Sequence, residues 1–106
     1  MASRKIEMPR IGFRECHFIK VSNIDALIEE LKTSTDELNI PKEYDLRIYK
    51  SVYGCCGVSN SNLIVEIIGP DEKEIKDIDL KVMVKLMDIC QKKGLEYHAC
   101  DHMEIA

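Results

Sequence analysis

Hydrophobic residues along this chain repeat at two different spacings, and the order of these spacings is the strongest constraint on its fold. Residues 11–21 suit a strand, and residues 24–38 repeat apolar side chains every three or four positions, as a helix does. Residues 44–53 and 63–68 return to strand-like patterns on either side of a turn-rich stretch. A second helical pattern and a last alternating segment follow. The predicted order is strand, helix, strand, strand, helix, strand.

Local signals mark where the two helices begin and end. Ser22 or Asn23 is expected to cap the first helix, and Asp77 or Asp79 the second, because short oxygen-bearing side chains satisfy the free amides at a helix start. Gly94 is expected to end the second helix. The apolar residues of that helix, which we expect to form one broad buried face, are Leu80, Val82, Met83, Leu86, Met87, Ile89 and Cys90.

This order of elements predicts an α+β fold of the ferredoxin-like βαββαβ type. Right-handed crossovers then give a four-stranded antiparallel sheet with two helices on one face. The length of 106 residues suits one domain. Residues 1–10 are basic and precede the first strand, so we expect a flexible N-terminal arm followed by a single domain over residues 11–106.

In such a fold the second face of the sheet has no helix to cover it, and strand alternation predicts which residues lie there. If Leu46, Leu63 and Tyr97 point toward the helices, the uncovered face carries Arg47, Tyr49, Tyr53, Ile64, Glu66, Ile68, His98, Cys100 and His102. The parity of the first strand is ambiguous. Either Cys16 and Phe18 or His17 and Ile19 join this set.

Uncovered patches of aromatic and aliphatic residues are usually contact surfaces. The sequence therefore predicts a partner-binding site made of Arg47, Tyr49, Tyr53, Ile64, Glu66 and Ile68. The partner is expected to be another protein, a second copy of the chain, or both.

Charge argues against nucleic acid as a partner. Fifteen Lys and Arg face nineteen Asp and Glu, a net charge of −4, which leaves no large positive field for phosphates. Residues 19–24 resemble the first ribonucleoprotein signature of RNA-recognition motifs. However, Lys20 stands where that family stacks an aromatic ring, and residues 63–68 contain no aromatic at all.

The expected cellular compartment determines the redox state expected of the cysteines. No apolar run approaches the ~18 residues of a membrane span, and no signal peptide is evident, so we expect a cytoplasmic protein with reduced thiols. Five cysteines also form an odd number. Cys55 and Cys56 lie between glycines in a predicted turn, where they are candidate reactive thiols.

The last strand carries a candidate metal site. His98, Cys100 and His102 alternate along one side of it, and Cys16 on the neighbouring strand is a fourth candidate ligand for Zn, Ni or Cu. Ligands two apart on a strand are about 6.6 to 7 Å apart at Cα, which is wide for convergence. We therefore expect a polar strand face and no cofactor.

Three functions remain open. The first is a non-enzymatic interaction or regulatory module that uses the uncovered sheet face, because no phosphate loop, nucleophile elbow or acid–base pair appears. The second is a metal- or ligand-sensing regulatory domain that resembles ACT-type modules. The third is an acidic inhibitor of a nucleic-acid enzyme, suggested by the acids of residues 25–45.

Overall fold

The computed structural model describes residues 10–51 and 61–105, and the side chains among them up to Tyr97. Its elements are β1 (Ile11–Ile19), α1 (Ile24–Thr35), β2 (Asp45–Lys50), β3 (Leu63–Gly69), α2 (Glu72–Lys93) and β4 (Tyr97–Ile105). The predicted turn at residues 54–62 falls largely outside this range. Ser51 donates its amide to the carbonyl of Asn62 at 3.1 Å, so β2 and β3 meet as neighbours at this end.

The strands form an antiparallel sheet. β3 lies between β2 and β1, with Ile64 opposite Tyr49 on one side and opposite Cys16 on the other. The backbone of β4 pairs with the outer side of β1, which gives the strand order β2-β3-β1-β4. β1, β2 and β3 together with the helices confirm the prediction of an α+β domain that combines two helices with an antiparallel sheet.

α1 begins where the sequence indicates. Asn23 is its cap, and the side-chain Oδ1 accepts the amide of Ala26 at 3.1 Å. The helix ends at Thr35, earlier than the apolar pattern suggested, and Leu38 packs on the core from the segment that follows.

α2 begins earlier than expected. Asp71 is the cap, and its carboxylate accepts the amide of Glu74 at 3.1 Å, so the prediction of a start at Asp77 or Asp79 is wrong. The physical reason is the fully buried Ile75, which adds one more turn to the apolar face. Gly94 ends the helix in the left-handed conformation, at φ 66°, as expected.

The core lies between the helices and one face of the sheet. A single apolar cluster joins both helices to alternate residues of the strands, so both helices pack on the same side. Its fully buried members include Ile19, Leu31, Leu63, Val65, Ile67, Ile75, Val82 and Leu86.

The outer side of α2 departs from the expectation of one broad buried face. Leu80 is 64% exposed and Met87 is 41% exposed, and Val84 between them is 59% exposed. At about 100° per residue these positions lie on the side of the helix opposite the buried Val82 and Leu86. The helix therefore carries apolar residues on two opposite sides, and only one of them is packed.

No helix among the described residues is long and apolar enough to cross a membrane.

Candidate interaction surface

The structure resolves the parity of β1. His17 is paired with the buried Leu63, so it faces the helices together with Ile19, whereas Cys16 is paired with Ile64 on the other side. We call that other side the open sheet face. Its described members are Arg14, Cys16 and Phe18 of β1, Arg47 and Tyr49 of β2, and Ile64, Glu66 and Ile68 of β3.

A row of charged side chains crosses the open sheet face. Glu66 of the central strand lies opposite both Arg14 and Arg47. One carboxylate oxygen is 3.2 Å from Nη2 of Arg14, and the other is 3.7 Å from Nη1 of Arg47. The Glu66 side chain is only 14% exposed, whereas those of the arginines are 40% and 57% exposed. The carboxylate therefore anchors two guanidinium groups that reach outward.

An apolar row runs beside the charged one. Tyr49, Ile64 and Cys16 occupy successive strands at this level, and Tyr49 is 36% exposed. Burial raises the pKa of Tyr49, and the charge of Glu66 raises it further, although the Arg14 and Arg47 charges and an Arg14 hydrogen bond act the other way. The phenol consequently keeps its proton at neutral pH and can donate a hydrogen bond.

The other predicted site residues have different positions. Ile64 and Ile68 are half-buried on the open sheet face, as alternation indicates. Tyr53, Cys55 and Cys56 lie outside the described residues. The backbone of β4 places His98, Cys100 and His102 opposite Phe18, Cys16 and Arg14, and the side chains of these three residues are also outside the described set.

Cys16 differs from the expectation of reduced thiols. It is fully buried and disulfide-bonded. The physical reason lies in strand pairing, which brings residues distant in sequence to about 4.5 to 5.5 Å at Cα, within the range that a disulfide spans. A sulfur held in a disulfide is not a thiolate, so the predicted ligand role of Cys16 requires reduction first.

Cys90 has a different state. It is a free thiol buried in the core, and burial raises its pKa. Among the side chains that the structure describes, no group of three or more His, Cys, Asp or Glu residues is arranged to hold a metal ion.

Sequence reasoning missed a buried polar pair on the helix side of β1. Glu15 Oε1 lies 2.7 Å from His17 Nε2, and the His17 ring is 6.4 Å from that of Tyr97 between centroids. Both members are almost wholly buried, so His17 has no open path to a substrate. The available signal was the two-residue spacing, which puts both side chains on one face of a strand.

Comparison with known proteins informs the fold alone. No protein family and no curated protein sequence matches this chain. Two solved structures of the alpha subunit of aIF2 from Pyrococcus abyssi, a C-terminal segment and the intact subunit, resemble it with TM-scores of 0.65 at 15% identity. Each similarity covers 92% of this chain, but only 53% of the segment and 36% of the intact subunit.

A hydantoinase/carbamoylase family amidase from Burkholderia ambifaria has a TM-score of 0.52 at 6% identity, over 92% of this chain and 28% of the amidase. This chain therefore spans about half, or less, of the structures that it resembles. At these identities the similarity concerns the arrangement of helices and strands.

Proposed function

We propose that this protein is a non-enzymatic interaction module that binds another protein through the open sheet face. The observation that carries the proposal is the composition of that face, where an exposed tyrosine and two outward arginines surround half-buried aliphatic side chains. Tyrosine and arginine are enriched at protein contacts and at their energetic hot spots.

The architecture supports this proposal. Both helices pack against the opposite face of the sheet, so they leave the open sheet face to other contacts. We propose that the whole chain has the ferredoxin-like arrangement, because the strand order β2-β3-β1-β4 with two crossover helices is what that topology requires. The fold hosts many functions, so the surface and not the topology supports binding.

The charged row suggests how a partner would be recognised. Glu66 holds Arg14 and Arg47 in place from a largely buried position, which lowers the entropy that these side chains lose on binding. Arginine presents a planar set of donors, and carboxylates and backbone carbonyls accept from it. We propose that hydrogen-bond acceptors of the partner contact this row, and that an apolar side chain of the partner packs against Tyr49 and Ile64.

A variant pair tests the proposal. Tyr49→Ala and Arg47→Ala are expected to weaken capture of a specific protein from an extract of the source cell, read by mass spectrometry. Lys76→Ala removes an exposed side chain from α2 and serves as the matched control. Proteins bound equally by all variants would count against the open sheet face, and a folded state preserved in each variant makes the comparison valid.

A metal-sensing function is the second candidate. Strand register places Cys100 directly opposite Cys16, with His98 and His102 two residues to either side, so reduction of the Cys16 disulfide would free a ligand-type sulfur in this region of the sheet. Elemental analysis after reduction tests it. Stoichiometric Zn, Ni or Cu that disappears in His98→Ala would support a sensor, and a metal-free protein with no thermal shift on adding Zn or Ni would remove it.

A further inference from the structure

The outer side of α2 carries an apolar strip that the proposed function does not use. Leu80, Val84 and Met87 are 64%, 59% and 41% exposed, and we call these three residues the outer stripe. Only one further large hydrophobic residue, Tyr49, is exposed among the residues described. Successive spacings of four and three residues are those of the seam along which two helices pack.

Charged residues flank the outer stripe in a self-complementary way. Lys81 and Asp88 lie along the same edge of it, about two helical turns apart. Oδ2 of Asp88 is 3.1 Å from Nζ of Lys92 in the same helix, whereas Lys81 makes no ion pair with any described residue. If two copies of α2 pack antiparallel about an axis near Val84, Lys81 of each copy meets Asp88 of the other.

We propose that the outer stripe is a homodimer surface, on which α2 packs antiparallel against α2 of a second copy of this chain. A two-fold axis uses the same patch twice, so one favourable ion pair becomes two. The open sheet face lies on the other side of the molecule, and this proposal is independent of the one above.

The size of the surface sets the expected strength. Stable specific interfaces bury about 1,200 to 2,000 Å² in total, and three apolar side chains per copy make a small core for one. We therefore expect a dimer that dissociates on dilution. Sedimentation equilibrium on the full chain over a wide range of concentrations measures it directly.

One substitution tests the apolar part. Val84→Glu puts two carboxylates at the centre of the pair and is expected to leave only monomer. Because Val84 is exposed, the fold should survive, which circular dichroism checks. Tyr49→Ala is the matched control on the open sheet face and should dimerise like the wild type.

A charge exchange tests the orientation. Lys81→Asp alone and Asp88→Lys alone each place like charges opposite one another, and each is expected to weaken dimerisation about tenfold. An equal mixture of the two variants restores both opposite-charge contacts, so it should form heterodimers at concentrations where neither variant pairs with itself. A parallel pair or non-specific apolar association does not predict this rescue.

Three results would overturn the proposal. The first is a chain that stays monomeric at every concentration. The second is a dimer that Val84→Glu leaves intact, and if Tyr49→Ala disrupts that dimer, association belongs to the open sheet face. The third is a mixture of the charge variants that shows no gain over either variant alone.

Discussion

The open sheet face and the outer stripe of α2 both present hydrophobic side chains to solvent, but they are built differently. On the sheet, Tyr49 lies beside Ile64 and next to an ion-paired row centred on Glu66. On the helix, Leu80 and Val84 are each more than half exposed. On the sheet, the half-buried Ile64 and Glu66 are expected to contribute to folding as well as to binding, whereas the side chains of the stripe are expected to matter for association alone.

The largest expected effect on stability comes from a core variant, and it provides the scale for variants of the two surfaces. Leu31 is fully buried in α1, and Leu31→Ala should lower the free energy of unfolding by about 2 to 5 kcal/mol because it leaves a cavity. Urea denaturation measures this loss. A loss smaller than that caused by Tyr49→Ala or Val84→Ala would mean that the core has been placed wrongly.

The disulfide of Cys16 lies on the open sheet face, and the outer stripe contains no cysteine. We expect Cys100 to be its partner, because the backbone register places the two residues opposite each other, and reduction should cost about 2 to 4 kcal/mol. Non-reducing peptide mapping identifies the partner, and Cys90→Ser is the control. Linkage of Cys16 to Cys55 or Cys56 would contradict the register argument.

Tyr49→Ala should separate binding from folding on the open sheet face. Interface tyrosines are frequent hot spots, so the free energy of binding to the partner should weaken by about 2 kcal/mol or more. The free energy of unfolding should change little, because the side chain is 36% exposed at an edge strand. Isothermal titration and denaturation of the same variant give both numbers.

Glu66→Gln should have a smaller effect on stability, of about 1 kcal/mol. The amide keeps the shape of the side chain but removes the charge that Arg14 and Arg47 share. Added salt should reduce the difference between variant and wild type, since the arginines are partly exposed. A difference that salt does not change would show that packing, and not charge, holds the row.

Val84→Ala should have the smallest of these effects on stability. An exposed helix position should change the free energy of unfolding by no more than about 0.5 kcal/mol in dilute protein. Thermal unfolding at low concentration provides the measurement. A larger loss would mean that the outer stripe packs within its own chain.

The faces of β2 and β3 follow from sequence alternation, because each strand has a clear difference between its two sides. In β3, Leu63, Val65 and Ile67 are fully buried, and Ile64, Glu66 and Ile68 lie on the other face. β1 could not be assigned in this way. Its helix-facing side includes Glu15 and His17, and their mutual hydrogen bond makes burial tolerable for a pattern that looks polar in sequence.

The two sides of α2 show another limit of pattern reasoning. Apolar residues at helical spacing indicate a buried side, but Leu80 and Met87 have the same residue character as Val82 and Leu86. Which side is packed depends on where the sheet lies, and a single sequence does not carry this information. The start of α2 could have been predicted from the sequence, since Asp71 followed by Glu74 matches the spacing of a capping box.

The predicted topology places the strands of Cys16 and Cys100 side by side, but a disulfide also requires that the two residues lie directly opposite each other. Cys16 and Cys100 lie opposite each other in the register of β1 with β4, the first and last of the described strands. Cysteine spacing along the chain gives no sign of that pairing.

The most direct test of the central claim compares capture of partner proteins by the wild type, Tyr49→Ala and Val84→Glu from one cell extract, with folding of each verified by circular dichroism. We predict that Tyr49→Ala loses a specific bound protein that Val84→Glu retains. The claim would be contradicted if Tyr49→Ala retained every protein that the wild type binds, or if it unfolded as severely as Leu31→Ala, since the face assignment of β2 would then be inverted.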